Sequence, residues 1–188
     1  DGGRGIRGVG SLTGGYRSAM DPRLDAEALA GVIGTDFQAR TRRLLHQLSG
    51  TGRMLATAES CTGGLLASLF TDIPGASHVL DRGLVVYSLR AKQDLLGVPE
   101  EMLETHGAVS KPVAVAMAEA LVRQDGPDIG VSITGYADTG PEPGLVHMAV
   151  AHAGGDTVHR VRRFGTVGRG AVRLRTLSAA LDLLEETL

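Results

Sequence analysis

Three residues in this sequence have the types, and two of them the spacing, that nucleophilic chemistry needs. Ser60 sits in the stretch AESCTGG, between the apolar run MLATA and a second apolar run, Leu65 to Phe70. Tyr87 and Lys92 follow in YSLRAK, five residues apart. A serine hydroxyl is a weak nucleophile until a base takes its proton, so the reading turns on which base is available. The six histidines (46, 78, 106, 147, 152 and 159) lie in no triad-like or H-x-x-x-H context, and the chain has a single cysteine, Cys61. That pattern argues against a histidine base and against a zinc site. Arginine cannot give up its proton, which sets aside the arginine-rich 160s and leaves Lys92 and Lys111. Lys92 is the better placed, in the first turn of a helix that Ser88 caps. Burial there would lower its pKa and let the amine act as a base, with the Tyr87 phenol beside it. The same spacing also suits a surface lysine lying along a core tyrosine, and AESCTGG also suits a capped strand-to-helix turn with packing glycines.

The elements around these residues must bring them together. MLATA reads as a buried strand that delivers Glu59, Ser60, Cys61 and Thr62 to the carboxyl edge of a sheet, where open α/β folds bind ligands. Gly63 and Gly64 then turn the chain into the next helix, whose free N–H groups favour an anion or a developing oxyanion. Before this unit, Asp36 is a candidate N-cap for a helix carrying Phe37, Leu44, Leu45 and Leu48 on one face and stopped by Gly50 or Gly52. After it, HVLDRGLVVYS ends in a strand, a short helix runs to Leu96, and PEEMLETH forms another. Ser110 caps KPVAVAMAEALVRQ, with Pro112 tolerated in its first turn. DIGVSIT (128–134) is a strand. LVHMAVAHA, a GGD turn and TVHRVRRF form a hairpin. The last helix, about 169 to 186, carries Val172, Leu174, Leu177, Ala180, Leu181 and Leu184 largely on one side. Alternating helices and strands with a late hairpin predict a single three-layer α/β/α domain with a mixed β-sheet.

The bulk properties narrow the function classes. The 188 residues carry a formal net charge of -2 and 43% hydrophobic residues, an ordinary globular composition. With a pI near 6.3 and no basic stripe, nucleic-acid binding is not expected. No apolar run reaches the roughly 20 residues a membrane span needs, and residues 1–20, rich in glycine, read as a disordered leader without the features of a signal peptide. A cytoplasmic location follows as the expectation.

TAESCTGGLLA, DRGLVVYSLRAKQDLLGV, HGAVSKPVAVAMAEA and VSITG, in that order and spacing, resemble the CinA C-terminal domain family, which includes the nicotinamide-nucleotide amidases. The resemblance covers roughly residues 36 to 187. It implies a cofactor-free amidohydrolase that converts nicotinamide mononucleotide to nicotinate mononucleotide and ammonia. Ser60 would be the nucleophile, with Tyr87 and Lys92 as its partners. It also implies a homo-oligomer. Glu59, Thr62, Gly63 and Gly64 match the rest of the first block, and Thr134 and Gly135 match the block bordering the pocket. Within that frame the backbone donors of 61–64, Cys61 included, would hold the tetrahedral oxygen, and the substrate phosphate would meet the Thr134–Gly135 turn or Arg82. The segment TGYADTGPEPGLVHMAV departs from the family pattern: Tyr136 is bulky, Asp138 is acidic and Glu142 replaces a lysine. Two alternatives follow from that departure, a catalytically silent nucleotide-binding or assembly module and an amidase for a related amide.

Overall fold

The computed structural model describes residues 34–123 and 126–188; the leader expected over 1–20 lies outside them. In chain order the elements are α1 (Thr35–Thr51), β1 (Leu55–Glu59), α2 (Leu65–Thr71), a single 3-10 turn (Ala76–His78), β2 (Leu80–Val85), α3 (Leu89–Leu96), α4 (Glu100–His106), α5 (Lys111–Leu121), β3 (Ile129–Gly135), β4 (Leu145–His152), β5 (Thr157–Arg163) and α6 (Arg169–Thr187). The five strands form one mixed sheet in the order β2-β1-β3-β4-β5. β1 runs parallel to both its neighbours, whereas β3, β4 and β5 are successively antiparallel.

β1 is buried at every residue, as a central strand covered on both faces must be. Its alternate side chains divide between two cores. Leu55 joins Leu44, Leu48, Phe70, Leu177 and Leu181 beneath α1, α2 and α6. Ala56 and Ala58 join Val86, Leu96, Val113 and Met117 beneath α3, α4 and α5. The three-layer α/β/α architecture with a mixed sheet is therefore the one the alternating pattern predicts. α5 lies close on the sheet because β3 has glycine beneath it: a Cβ on Gly130 would stand 2.3 Å from the Ala118 carbonyl oxygen.

Two helix details differ from the sequence reading. Asp36 falls inside the first turn of α1, and Gly34 occupies the N-cap; an acidic side chain there favours the helix dipole instead of capping it. Leu174 is 44% exposed, because the buried stripe of α6 runs through Val172, Thr176, Leu177, Ala180, Leu181 and Leu184. The caps Ser88 on α3 and Ser110 on α5 accept from the amides three residues on, as expected. No helix among the described residues is long and apolar enough to cross a membrane.

Candidate active site

β1 carries Ser60 out of the sheet, and the backbone holds it from two sides. Its N–H donates to the Ile133 carbonyl at 2.9 Å, and its carbonyl accepts from the Gly63 N–H at 3.0 Å. The second bond closes a tight turn that only glycine follows easily: Gly63 has φ 63° and Gly64 φ 89°, both in the left-handed region. Gly64 is the N-cap residue of α2 and supplies no side chain to the helix start.

Glu59 does that work. Its carboxylate is fully buried and accepts from the amides of Leu66 at 3.0 Å and Ala67 at 2.9 Å and from the Thr57 hydroxyl at 3.3 Å. The anion that the start of α2 attracts is thus the protein's own carboxylate. Glu59 does not line the cleft, so its expected contact with substrate gives way to a capping role.

Lys92 comes from α3, one turn past the Ser88 cap. Its side chain is the second largest wholly enclosed among the described residues, at 1% exposure. Nζ donates to the Val86 carbonyl at 2.6 Å and to Ser60 Oγ at 3.3 Å. No carboxylate pairs with it among the described residues. Burial without a counter-ion disfavours the charged form, and it lowers the amine from about 10.5 to about 8. The Cys61 thiol next door is pushed up to about 11, chiefly by its own burial, and is a poor nucleophile there.

Ser60, Cys61, Tyr87 and Lys92 line a cleft of about 230 Å³, together with Ala108, Val109, Thr134, Gly135 and the segment Tyr136–Thr139, with Arg169 at its margin. Thr134 donates to the Ala108 carbonyl at 2.7 Å, which fixes the wall. Tyr87 is 67% exposed and stands beside the Ser60–Lys92 contact without a hydrogen bond to either among the described residues. The lysine reaches the serine directly, so a relay through the phenol is not needed. Thr62, Gly63 and Gly64 build the turn behind the cleft instead of its surface. None of the histidines is among the lining residues; His147 and His159 stack on each other across β4 and β5, with Nδ1 and Nε2 3.0 Å apart.

Arg82 is not at the cleft. It lines a separate hollow beside β2 with Pro74, Ser77 and Leu80, and its guanidinium is bonded to Asp81. The sequence reading missed Arg169, the first residue of α6, half-exposed and 3.8 Å from Asp138. The Gly–Arg start of a helix more than a hundred residues after Ser60 gave no local signal of proximity. Glu142, the other acidic residue of the departing segment, turns away from the cleft to pair with Arg163 at 2.7 Å.

A parallel βα unit that sets a turn-borne serine against an enclosed lysine, at a cleft on the carboxyl edge of a mixed sheet, is the frame this α/β chain presents. The chain belongs to the CinA C-terminal domain family, whose profile matches residues 38–188. It is 47% identical over 151 residues to a CinA-like protein of Anaeromyxobacter dehalogenans, covering 77% of this chain and 36% of that protein. The chain therefore spans little more than a third of such relatives. Among solved structures, a competence/damage inducible protein from Agrobacterium tumefaciens superposes with a TM-score of 0.76 at 42% identity, covering 80% of this chain and 94% of that one. A competence-damaged protein (CinA) superfamily protein from Escherichia coli gives 0.75 at 31% identity, covering 81% and 90%.

Proposed function

We propose that this chain is an amidohydrolase that cleaves the carboxamide of nicotinamide mononucleotide, releasing ammonia and nicotinate mononucleotide without a cofactor. The observation that carries the reading is the direct contact between Lys92 Nζ and Ser60 Oγ at 3.3 Å inside a buried cleft. Neutral Lys92 accepts the hydroxyl proton as Ser60 attacks the amide carbon, and the resulting ammonium returns it to the departing ammonia. Water then attacks the acyl-serine: Lys92 takes its proton and passes it to the Ser60 oxygen as the acyl–oxygen bond breaks, freeing nicotinate mononucleotide and restoring the neutral amine.

The Gly63 amide is committed to the Ser60 carbonyl, and of the other amides at 61–64 that of Cys61, the residue after the nucleophile, takes the tetrahedral oxygen. The cleft volume of about 230 Å³ lies just under the range of roughly 300–1,000 Å³ for small-molecule sites. It suits the nicotinamide ring, with the ribose and phosphate toward the margin. There Arg169 takes the phosphate, the role that the placing of Arg82 leaves open.

The test is ammonia release from nicotinamide mononucleotide by the wild type and by Ser60→Ala. Turnover should fall in Ser60→Ala by about 10³-fold or more; equal turnover in the two would remove Ser60 as nucleophile. Tyr136 and Asp138 on the cleft wall favour a second reading, a related amide as substrate. A panel of pyridine and pyrimidine amides as bases, nucleosides and nucleotides decides it. An inert wild type across the panel would leave the silent binding module.

A further inference from the structure

Behind the cleft, on the side away from substrate, a second arginine of α6 reaches the nucleophile turn. Arg173 stands one helical turn after Arg169. Its Nη2 donates to the Thr62 carbonyl at 2.9 Å and lies 3.6 Å from the Cβ position of Gly63. The Thr62 carbonyl and the Gly63 N–H belong to one peptide unit, and that N–H donates to the Ser60 carbonyl. A cation therefore pulls on one end of a peptide whose other end holds the backbone of the nucleophile. Hydrogen bonds linked in this way strengthen one another.

The arrangement has a cost. Arg173 makes no ion pair among the described residues. Its Nε and the Thr62 hydroxyl are both buried without a hydrogen-bond partner among them. Each such group lowers stability, so a stability role alone does not account for an arginine at this spot. What the placement does supply is rigidity and positive potential at the turn.

We propose that Arg173 is a positioning residue: through the Thr62–Gly63 peptide it holds Ser60 and the Cys61 amide in the reactive arrangement that Lys92 and the tetrahedral oxygen require. Arg169 and Arg173, at i and i+4 on one helix face, divide the labour, with one facing substrate and the other bracing the nucleophile. The inference rests on Ser60 being the nucleophile.

Arg173→Met and Arg173→Lys test it by two readouts. One is kcat and KM for ammonia release; the other is the rate at which a fluorophosphonate labels Ser60, which needs no knowledge of the substrate. Arg173→Met should lower kcat and the labelling rate together by about 10- to 100-fold, the scale of a misplacement near 1 Å. KM should stay within about twofold, since a group acting only on the nucleophile does not touch the ground-state complex. Arg173→Lys, which keeps a cation in reach of Thr62, should recover much of both rates. The proposal fails if a folded Arg173→Met keeps kcat and labelling near wild type, or if its loss lies in KM with labelling unchanged. Should Arg173→Met not fold, Arg173→Gln replaces it with the same expected and overturning results. A wild type that labels at Ser60 yet releases no ammonia would defeat the substrate assignment and leave the labelling comparison to judge Arg173.

Discussion

At the scale of single residues, an enclosed lysine without a carboxylate is the feature most at odds with ordinary packing, and it makes two linked predictions. The folded state holds the Lys92 amine near pH 8 against about 10.5 unfolded. Below pH 8 both states are protonated and the folded state bears the full desolvation cost. Between 8 and 10.5 only the unfolded state binds the proton, so stability rises with pH there, and above that window the cost is gone. Lys92→Met should therefore raise unfolding stability at pH 7 by roughly 1–3 kcal/mol. Denaturant titrations of the two proteins should converge near pH 10. Activity should move the opposite way. Lys92→Met should lose about 10³-fold or more in kcat, and wild-type kcat/KM should climb tenfold per pH unit up to about 8 and then level. A pH-independent rate between 6 and 8 would show that Lys92 is not the base.

At the scale of elements, the turn from β1 into α2 is an assembly of backbone bonds closed by Glu59, so Glu59 belongs to stability more than to binding. Glu59→Ala strips the acceptor from the buried Leu66 amide and the half-buried Ala67 amide and should cost about 1–3 kcal/mol in denaturant unfolding, with KM within twofold of wild type. A KM rise without loss of stability would return Glu59 to the substrate. The elements themselves were legible in the sequence because they follow local rules. The short run MLATA that becomes β1, the serine caps at 88 and 110 and the glycine stops each depend on residues a few positions apart. Ser60 and Lys92 were legible as chemistry for the same reason: one follows a strand, the other sits one turn past a cap. The role of Glu59 was not legible, since a carboxylate next to a nucleophile looks the same in sequence whether it faces the ligand or the helix behind. Leu174 was misplaced because helix periodicity fixes a face only to within a residue or so, and α6 has apolar residues on more than one side.

At the scale of the whole molecule, the cleft is assembled from pieces far apart in the chain, and its least legible wall is the segment after β3. The segment 136–144 bridges β3 and β4, held at both ends where Tyr136 donates to the Leu145 carbonyl and Gly144 to the Tyr136 carbonyl. Its length and composition gave no sign that Glu142 would turn outward to Arg163 while Asp138 stayed beside Arg169. Only the fold, by setting the start of α6 against this segment, creates that pair. A phosphate arriving at Arg169 meets the Asp138 carboxylate as well, and two partly solvated like charges repel by about 1 kcal/mol. Asp138→Asn should therefore lower KM for nicotinamide mononucleotide about fivefold. Arg169→Met should raise it by about 10- to 100-fold through loss of a charged hydrogen bond, and added salt should shrink both effects. The unphosphorylated riboside keeps the pyridinium cation and lacks only the phosphate: neither substitution should change its KM by more than about twofold, because the group that Arg169 and Asp138 act on is missing. If Asp138→Asn improves the riboside as much as the nucleotide, Asp138 acts on the ring or ribose, and the phosphate site lies elsewhere on the cleft rim.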